Sequence, residues 1–234
     1  MSDLEIDVNY VEGASSVCKD YRCCHSGDEA EKPEDKAGKF GNKRCSTSKE
    51  GFKKMFDTIN KLNSTSYLSF TSLIFGGGSN AYIPELVTEE NINQVQQDIF
   101  SHIRSLNPKN GIYYALGPHD VYPMNYQDFT TASNAKLSAL DSKINPLSSD
   151  GAFSSISANV QARGEFVKYG YYSVSNQFIY NILIDDSSPP KQMMPNYNSD
   201  LSVIFINTNA CYNRNVALMK ETSDVANQLN YLES

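Results

Sequence analysis

The sequence predicts an α/β fold, a partial one with mixed β-sheets flanked by helices. Three features predict it: an apolar run over 67–75, helical periodicity over 89–106, and a second apolar run over 111–116. A strand–helix–strand alternation of this kind lays a helix against a sheet and puts a site at the strand ends.

Along the chain, residues 14–48 read as a charged loop carrying four of the five cysteines. Residues 49–63 read as a helix: Phe52, Met55, Phe56, Ile59 and Leu62 recur at helical spacing, and Ser48 is placed to cap it. Residues 67–75 alternate weakly, then become apolar, which reads as a buried strand. Thr88 is placed to cap a helix over 89–106, with Ile92, Val95, Ile99 and Ile103 on one side and Pro108 stopping it. Gly111 to Leu116 is the next strand, and residues 127–165, rich in Ser, Ala and Asn, read as a helical cover. Tyr169–Ser175, Gln177–Ile184 and Leu201–Thr208 read as strands of a second sheet. Asp185–Asn198, with Pro189, Pro190 and Pro195, reads as a turn-rich connector. Ser223–Leu232 reads as a helix with Leu229 and Leu232 turned inward, and no internal repeat is visible.

With 234 residues the chain is long enough for one domain with a sizeable core. Its net charge of −7, without a basic patch interleaved with aromatics, argues against a nucleic-acid partner. No apolar run reaches transmembrane length, and no signal peptide is read at Met1. Three cysteines within seven residues, with no histidine at zinc spacing, read as disulfides, a pattern of exported proteins. Asn63-Ser64-Thr65 is a glycosylation sequon.

The chemistry-bearing residues are few. Asp3, Glu5 and Asp7 alternate, so on a strand they share one face, where three carboxylates suit Mg²⁺ or Ca²⁺. The competing and favoured reading is an acidic, solvated strand end. Gly76-Gly77-Gly78 is a weak match to a phosphate-cradling loop, because no Gly-Lys-Ser/Thr follows it. His119, in Gly117-Pro118-His119-Asp120, is a candidate general acid, weighed against a histidine left over in a loop. Asp120 then orients His119 or caps the next turn. His25 and His102 read as surface residues. No Gly-x-Ser-x-Gly or other nucleophile constellation stands out.

Several segments, in order, carry a family resemblance. They are Asp3-Leu4-Glu5-Ile6-Asp7-Val8-Asn9-Tyr10-Val11-Glu12-Gly13, Cys18-Lys19-Asp20-Tyr21-Arg22-Cys23-Cys24, Ala37-Gly38-Lys39-Phe40-Gly41 with Cys45, Gly117-Pro118-His119-Asp120, Gly170-Tyr171-Tyr172-Ser173, and Leu201 to Cys211 with Asn207-Thr208-Asn209 inside it. Together they resemble the first half of the catalytic domain of acid sphingomyelinase-like phosphodiesterases, a calcineurin-like metallophosphoesterase group.

The resemblance implies a single, incomplete metallophosphoesterase-like domain over 1–234 and a degenerate zinc site. Asp3 is the remnant ligand. Glu5 stands where the family has His, Gly77 where it has the bridging Asp, Ala81 where it has a second His, and Pro118 where it has Asn. Proline has no side-chain donor for a metal. The family's remaining histidines lie beyond Ser234, so no cofactor is expected in this chain, zinc being the family's metal. The resemblance also pairs Cys18 with Cys23 and Cys24 with Cys45, and leaves Cys211 unpaired. It implies an extracellular or lysosomal location and a phospholipid or other phosphodiester as ligand. Two readings follow: a catalytically inactive relative, or an active hydrolase whose remaining motifs lie outside this chain.

Overall fold

A computed structural model describes residues 1–18, 23–65, 73–83, 86–106, 112–129, 135–144, 160–174, 203–219 and 223–233. Helix α1 spans Lys49–Thr65. The Ser48 hydroxyl accepts the Gly51 amide at 3.0 Å and so caps it. Phe52 and Phe56 are buried from α1, while Met55 and Ile59 pack at the margin. Leu62, expected on the same stripe, is 54% exposed. At about 100° per residue it lies roughly 80° around the helix from Phe52, off the face that meets the core.

Helix α2, Glu89–Ser105, begins with a reciprocal capping box between Thr88 and Asn91. Its buried face carries Ile92, Val95, Ile99 and Ile103 as expected, with Phe100 and the polar Gln96 among them. His102 is not a plain surface residue. Its ring packs edge-on to Phe52 at 5.1 Å and lies 5.4 Å from Phe56, and its Nδ1 is 2.7 Å from the Asp98 carbonyl. Pro108 falls outside the described residues.

Strands β1 (Leu73–Phe75) and β2 (Ile112–Tyr114) pair in parallel, Leu73 opposite Ile112 and Phe75 opposite Tyr114. A parallel pair with α2 between its strands is the expected βαβ unit. β1 is buried on one face only: Leu73 and Phe75 turn inward and Ile74 is exposed. Helices α3 (Ala135–Ile144) and α4 (Val160–Tyr169) form the described parts of the cover. They are joined by Arg163, whose Nε and Nη2 each lie 2.7 Å from Oδ2 of buried Asp141. α4 runs past residue 165 and takes in Tyr169, expected in a strand. Gly170, at φ +78°, ends it, because the reversal needs a left-handed residue.

Strands β3 (Tyr172–Val174) and β4 (Val203–Phe205) pair antiparallel. The expected strand over 177–184 and connector over 185–198 lie outside the described residues. Tyr172 ties the two sheets together. Its hydroxyl accepts the Tyr114 amide and donates to the Tyr114 carbonyl, both at 3.0 Å. A phenol thus satisfies β2 groups that a neighbouring strand would otherwise take.

The last helix, α5 (Gln228–Glu233), does not turn Leu229 and Leu232 inward: they are 60% and 44% exposed. Its contacts are polar and aromatic. The Tyr231 hydroxyl donates to Glu165 Oε2 at 2.9 Å and lies 2.7 Å from Ser173 Oγ, and its ring meets Tyr171. Disulfides join Cys18 to Cys23 and Cys24 to Cys45, and Cys211 is an exposed free thiol. Among the described residues no helix is long and apolar enough to cross a membrane.

Candidate functional site

Three segments meet beyond the carboxyl ends of β1 and β2. Residues 1–6 run alongside the loop after β1: Asp3, Glu5 and Ile6 donate their amides to the Gly77, Gly78 and Ser79 carbonyls, each at 2.9 Å. This stretch is no regular strand, because Asp3 and Glu5 take φ of 51° and 44°. The carboxylates therefore do not share one face. Asp3 and Glu5 are exposed. Asp7 is 2% exposed and lies 2.7 Å from Nε2 of His25. His25, read as a surface residue, is itself buried, and this pair pins the N-terminal segment to the disulfide-tied loop.

The third segment is the loop after β2, and Asp120 organises it. Its carboxylate accepts the amides of Gly117 at 2.7 Å, Ser79 at 2.8 Å and Gly78 at 3.1 Å. Its carbonyl accepts Nε2 of Gln96, from α2, at 2.6 Å. Asp120 therefore neither orients His119 nor merely caps a turn; it fastens the β1 loop to the β2 loop. The amides that a phosphate-cradling loop would offer at Gly78 and Ser79 are already paired. Tyr114 stands beside this carboxylate. Burial first, then the Asp120 charge, raises its phenol well above the usual value.

Gly77 is enclosed by this arrangement. Its φ is +77°, and a Cβ there would come within 2.4 Å of the Gly117 nitrogen and 2.7 Å of both the Ala115 carbonyl and Asp120 Oδ2. No side chain fits without displacing the β2 loop. Ala81 is fully buried in a small cluster with Ile83, Val87 and Ile92. Pro118 sits on the loop rim, its carbonyl accepting the Asn125 amide at 3.1 Å.

His119 is half-buried. Its ring stacks on Tyr82 at 4.8 Å, and the Arg214 guanidinium lies 5.6 Å from the centre of the same tyrosine ring. Burial lowers the His119 pKa, with Arg214 adding to the fall and Asp120, Glu5 and the Asn80 contact opposing it. A shallow depression of about 310 Å³ opens beside Tyr82, with Glu5, Lys43, Arg44 and Ser46 on its walls.

Sequence reading missed a buried amide network behind these loops. Asn207 Nδ2 donates to Gln127 Oε1 at 3.1 Å and to the Tyr169 carbonyl at 2.8 Å. Asn209 Nδ2 reaches the Gly117 carbonyl and Gln127 Oε1, each at 3.3 Å, and Asn215 bridges Gln127 to Asn209. The Asn207-Thr208-Asn209 segment thus supports the Gly117 loop from the second sheet. The signal available was the run of amides in an otherwise apolar stretch.

A zinc site needs converging ligands. Among the described residues no three His, Cys, Asp or Glu side chains converge, so the donor set present does not fit that metal. Asn63, the sequon asparagine, is half-buried, and its side-chain nitrogen donates to the Leu106 carbonyl at 3.0 Å.

No family model matches the chain. Among curated proteins it is similar to the human Cyclic GMP-AMP phosphodiesterase SMPDL3A, with 28% identity over 239 residues. The match takes in all of this chain and 43% of the relative, so the chain spans less than half of that protein's length.

Proposed function

We propose that this chain is a member of the acid sphingomyelinase-like phosphodiesterases that has lost hydrolytic activity. The family part rests on the ordered motifs and on the similarity to a phosphodiesterase along the whole chain. The inactive part rests on one observation above the others. Gly77, where the resemblance calls for the bridging carboxylate, has no room for a side chain, because Gly117 and Asp120 fill the space. A two-metal hydrolase holds both cations through that bridge. With Ala81 buried among apolar groups and Pro118 lacking a donor atom, the neighbouring ligand positions offer nothing in its place.

The surface this reading offers a phosphodiester or phospholipid ligand is the depression beside Tyr82, lined by Lys43, Arg44 and Ser46 together with the carboxylates of Glu5 and Asp7. The two disulfides favour an extracellular or lysosomal setting; glycosylation at the Asn63 sequon would require its side-chain nitrogen to leave the Leu106 carbonyl. The second reading is an active hydrolase completed by residues outside this chain. It is favoured by the span, less than half of the relative.

The test is direct. The purified chain is incubated with Zn²⁺ and bis(p-nitrophenyl) phosphate, sphingomyelin or cyclic GMP-AMP. The expected outcome is no turnover above the metal-only blank. Metal-dependent turnover that disappears in Asp3→Ala sinks the inactive reading.

A further inference from the structure

We propose that the Gly78, Ser79 and Gly117 amides form a cradle for a small oxyanion of the formate or acetate class, which the wild-type chain fills with its own Asp120 carboxylate. The inference goes beyond the loss of hydrolysis and does not depend on it.

The donors come from two different loops and converge within 2.7–3.1 Å of one carboxylate. Gly77 and Gly78 both take positive φ, +77° and +72°, a left-handed conformation that glycine allows, and the Gly78 and Ser79 amides that follow both reach Asp120. Asp120 is 2% exposed, so its charge is held by these donors rather than by water. Two more polar groups stand by. The Ser79 and Tyr114 side chains are fully buried; among the described residues neither hydroxyl makes a well-formed hydrogen bond, and the Tyr114 phenol is close enough to Asp120 and Ser79 for both to act on its pKa. Three amides, with the Ser79 and Tyr114 hydroxyls beside them, thus surround one side-chain carboxylate.

The cradle also does not owe its shape to the carboxylate alone. Gln96 holds the Asp120 carbonyl, Asn209 holds the Gly117 carbonyl, and the Asp3 and Glu5 amides hold the carbonyls of Gly77 and Gly78. None of these bonds uses the Asp120 side chain. The space vacated by an Asp→Gly change is that of a carboxylate on one methylene, which formate fills without crowding.

The experiment uses the full chain with Asp120→Gly, beside Asp120→Asn and wild type. Thermal unfolding is followed in sodium formate and in sodium chloride at matched ionic strength. The glycine variant is expected to lose roughly 5 °C or more in chloride, since three buried donors lose their partner. Formate should restore at least half of that loss, saturably, and ¹³C-formate should show binding to this variant and not to wild type. Equal unfolding temperatures in formate and chloride overturn the proposal. So does an Asp120→Asn variant as stable as wild type, because a neutral amide would then suffice. Failure of the glycine variant to fold in formate also overturns it, whatever the asparagine variant does.

Discussion

Gly77 and His119 show how much single positions decide here. An aspartate at 77 would need both a left-handed backbone and a Cβ 2.4 Å from the Gly117 nitrogen. Gly77→Asp should therefore destabilise the chain by about 2–4 kcal/mol, a value in the range of overpacking combined with backbone strain. A chemical denaturation midpoint near wild type would mean that the loop relaxes to admit the side chain. His119 carries a different signature. Its folded pKa lies below the ordinary value, mainly through burial. The unfolded chain then binds the proton more readily than the folded one. Stability that is present above the unfolded pKa of about 6.5 is lost as the pH falls through it. His119→Gln should flatten the acid side of the stability profile, and an NMR titration of the His119 ring should give a midpoint below 6.5. A midpoint above that value would show that Glu5 and Asp120 outweigh burial. Neither effect is legible in the sequence, since one depends on which backbone passes close to Gly77 and the other on what buries the His119 ring.

At the scale of the element, legibility follows the strength of local signals. Both long helices are readable because cap and period agree. Ser48 and Thr88 each receive an amide from their first turn, and the α2 stripe falls on its buried face. Thr88→Ala should cost about 1 kcal/mol, measured as a shift in unfolding free energy, because the Thr88 hydroxyl both accepts the Asn91 amide and donates to Asn91 Oδ1. A change under a few tenths of a kcal/mol would mean that solvent replaces the box. The short elements read less well. α5 has Leu229 and Leu232 at a plausible apolar spacing, yet Tyr231 and Gln228 make the contacts. In a helix of six residues the hydrogen-bonding partners, not the apolar period, decide which face turns inward. The aromatic run that follows Tyr169 favours a strand there, whereas Gly170 lets the helix continue to that point and then stop. The Asp3-Glu5-Asp7 alternation misleads for a related reason. Period two in sequence specifies a shared face only if the backbone is extended, and positive φ at Asp3 and Glu5 breaks that condition.

Across the whole molecule, two of the ligand positions named by the resemblance, Gly77 and Ala81, are taken up by packing. One core draws on both sheets and on α1 to α4: Phe56, Phe75, Ile99, Tyr114, Leu137, Phe166, Tyr172 and Phe205 belong to it together. Gly77, Ala81 and Gly117 pack tightly at or beside its edge, and the Asp7–His25 pair and the Cys24–Cys45 bridge hold the N-terminal segment in place. Motif order in the sequence therefore conveys which segments meet, but not that the space between them is closed. This bears on whether a zinc site can be restored by substitution. A chain carrying Glu5→His, Gly77→Asp, Ala81→His and Pro118→Asn has the right residue types at the positions the resemblance names. The aspartate, however, meets the Gly117 backbone, and the histidine at 81 enters an apolar cluster that offers it no described partner. Each polar insertion carries a desolvation cost of about 1–3 kcal/mol before any metal is bound. The quadruple variant should therefore unfold at a lower temperature than wild type and should not bind zinc stoichiometrically by calorimetry. Pro118→Asn alone should leave stability within about 1 kcal/mol, because Pro118 lies partly exposed on the loop rim. Stoichiometric zinc binding by the quadruple variant, with its fold intact, would show that the closed loops open at little cost. The site would then count as dormant rather than lost.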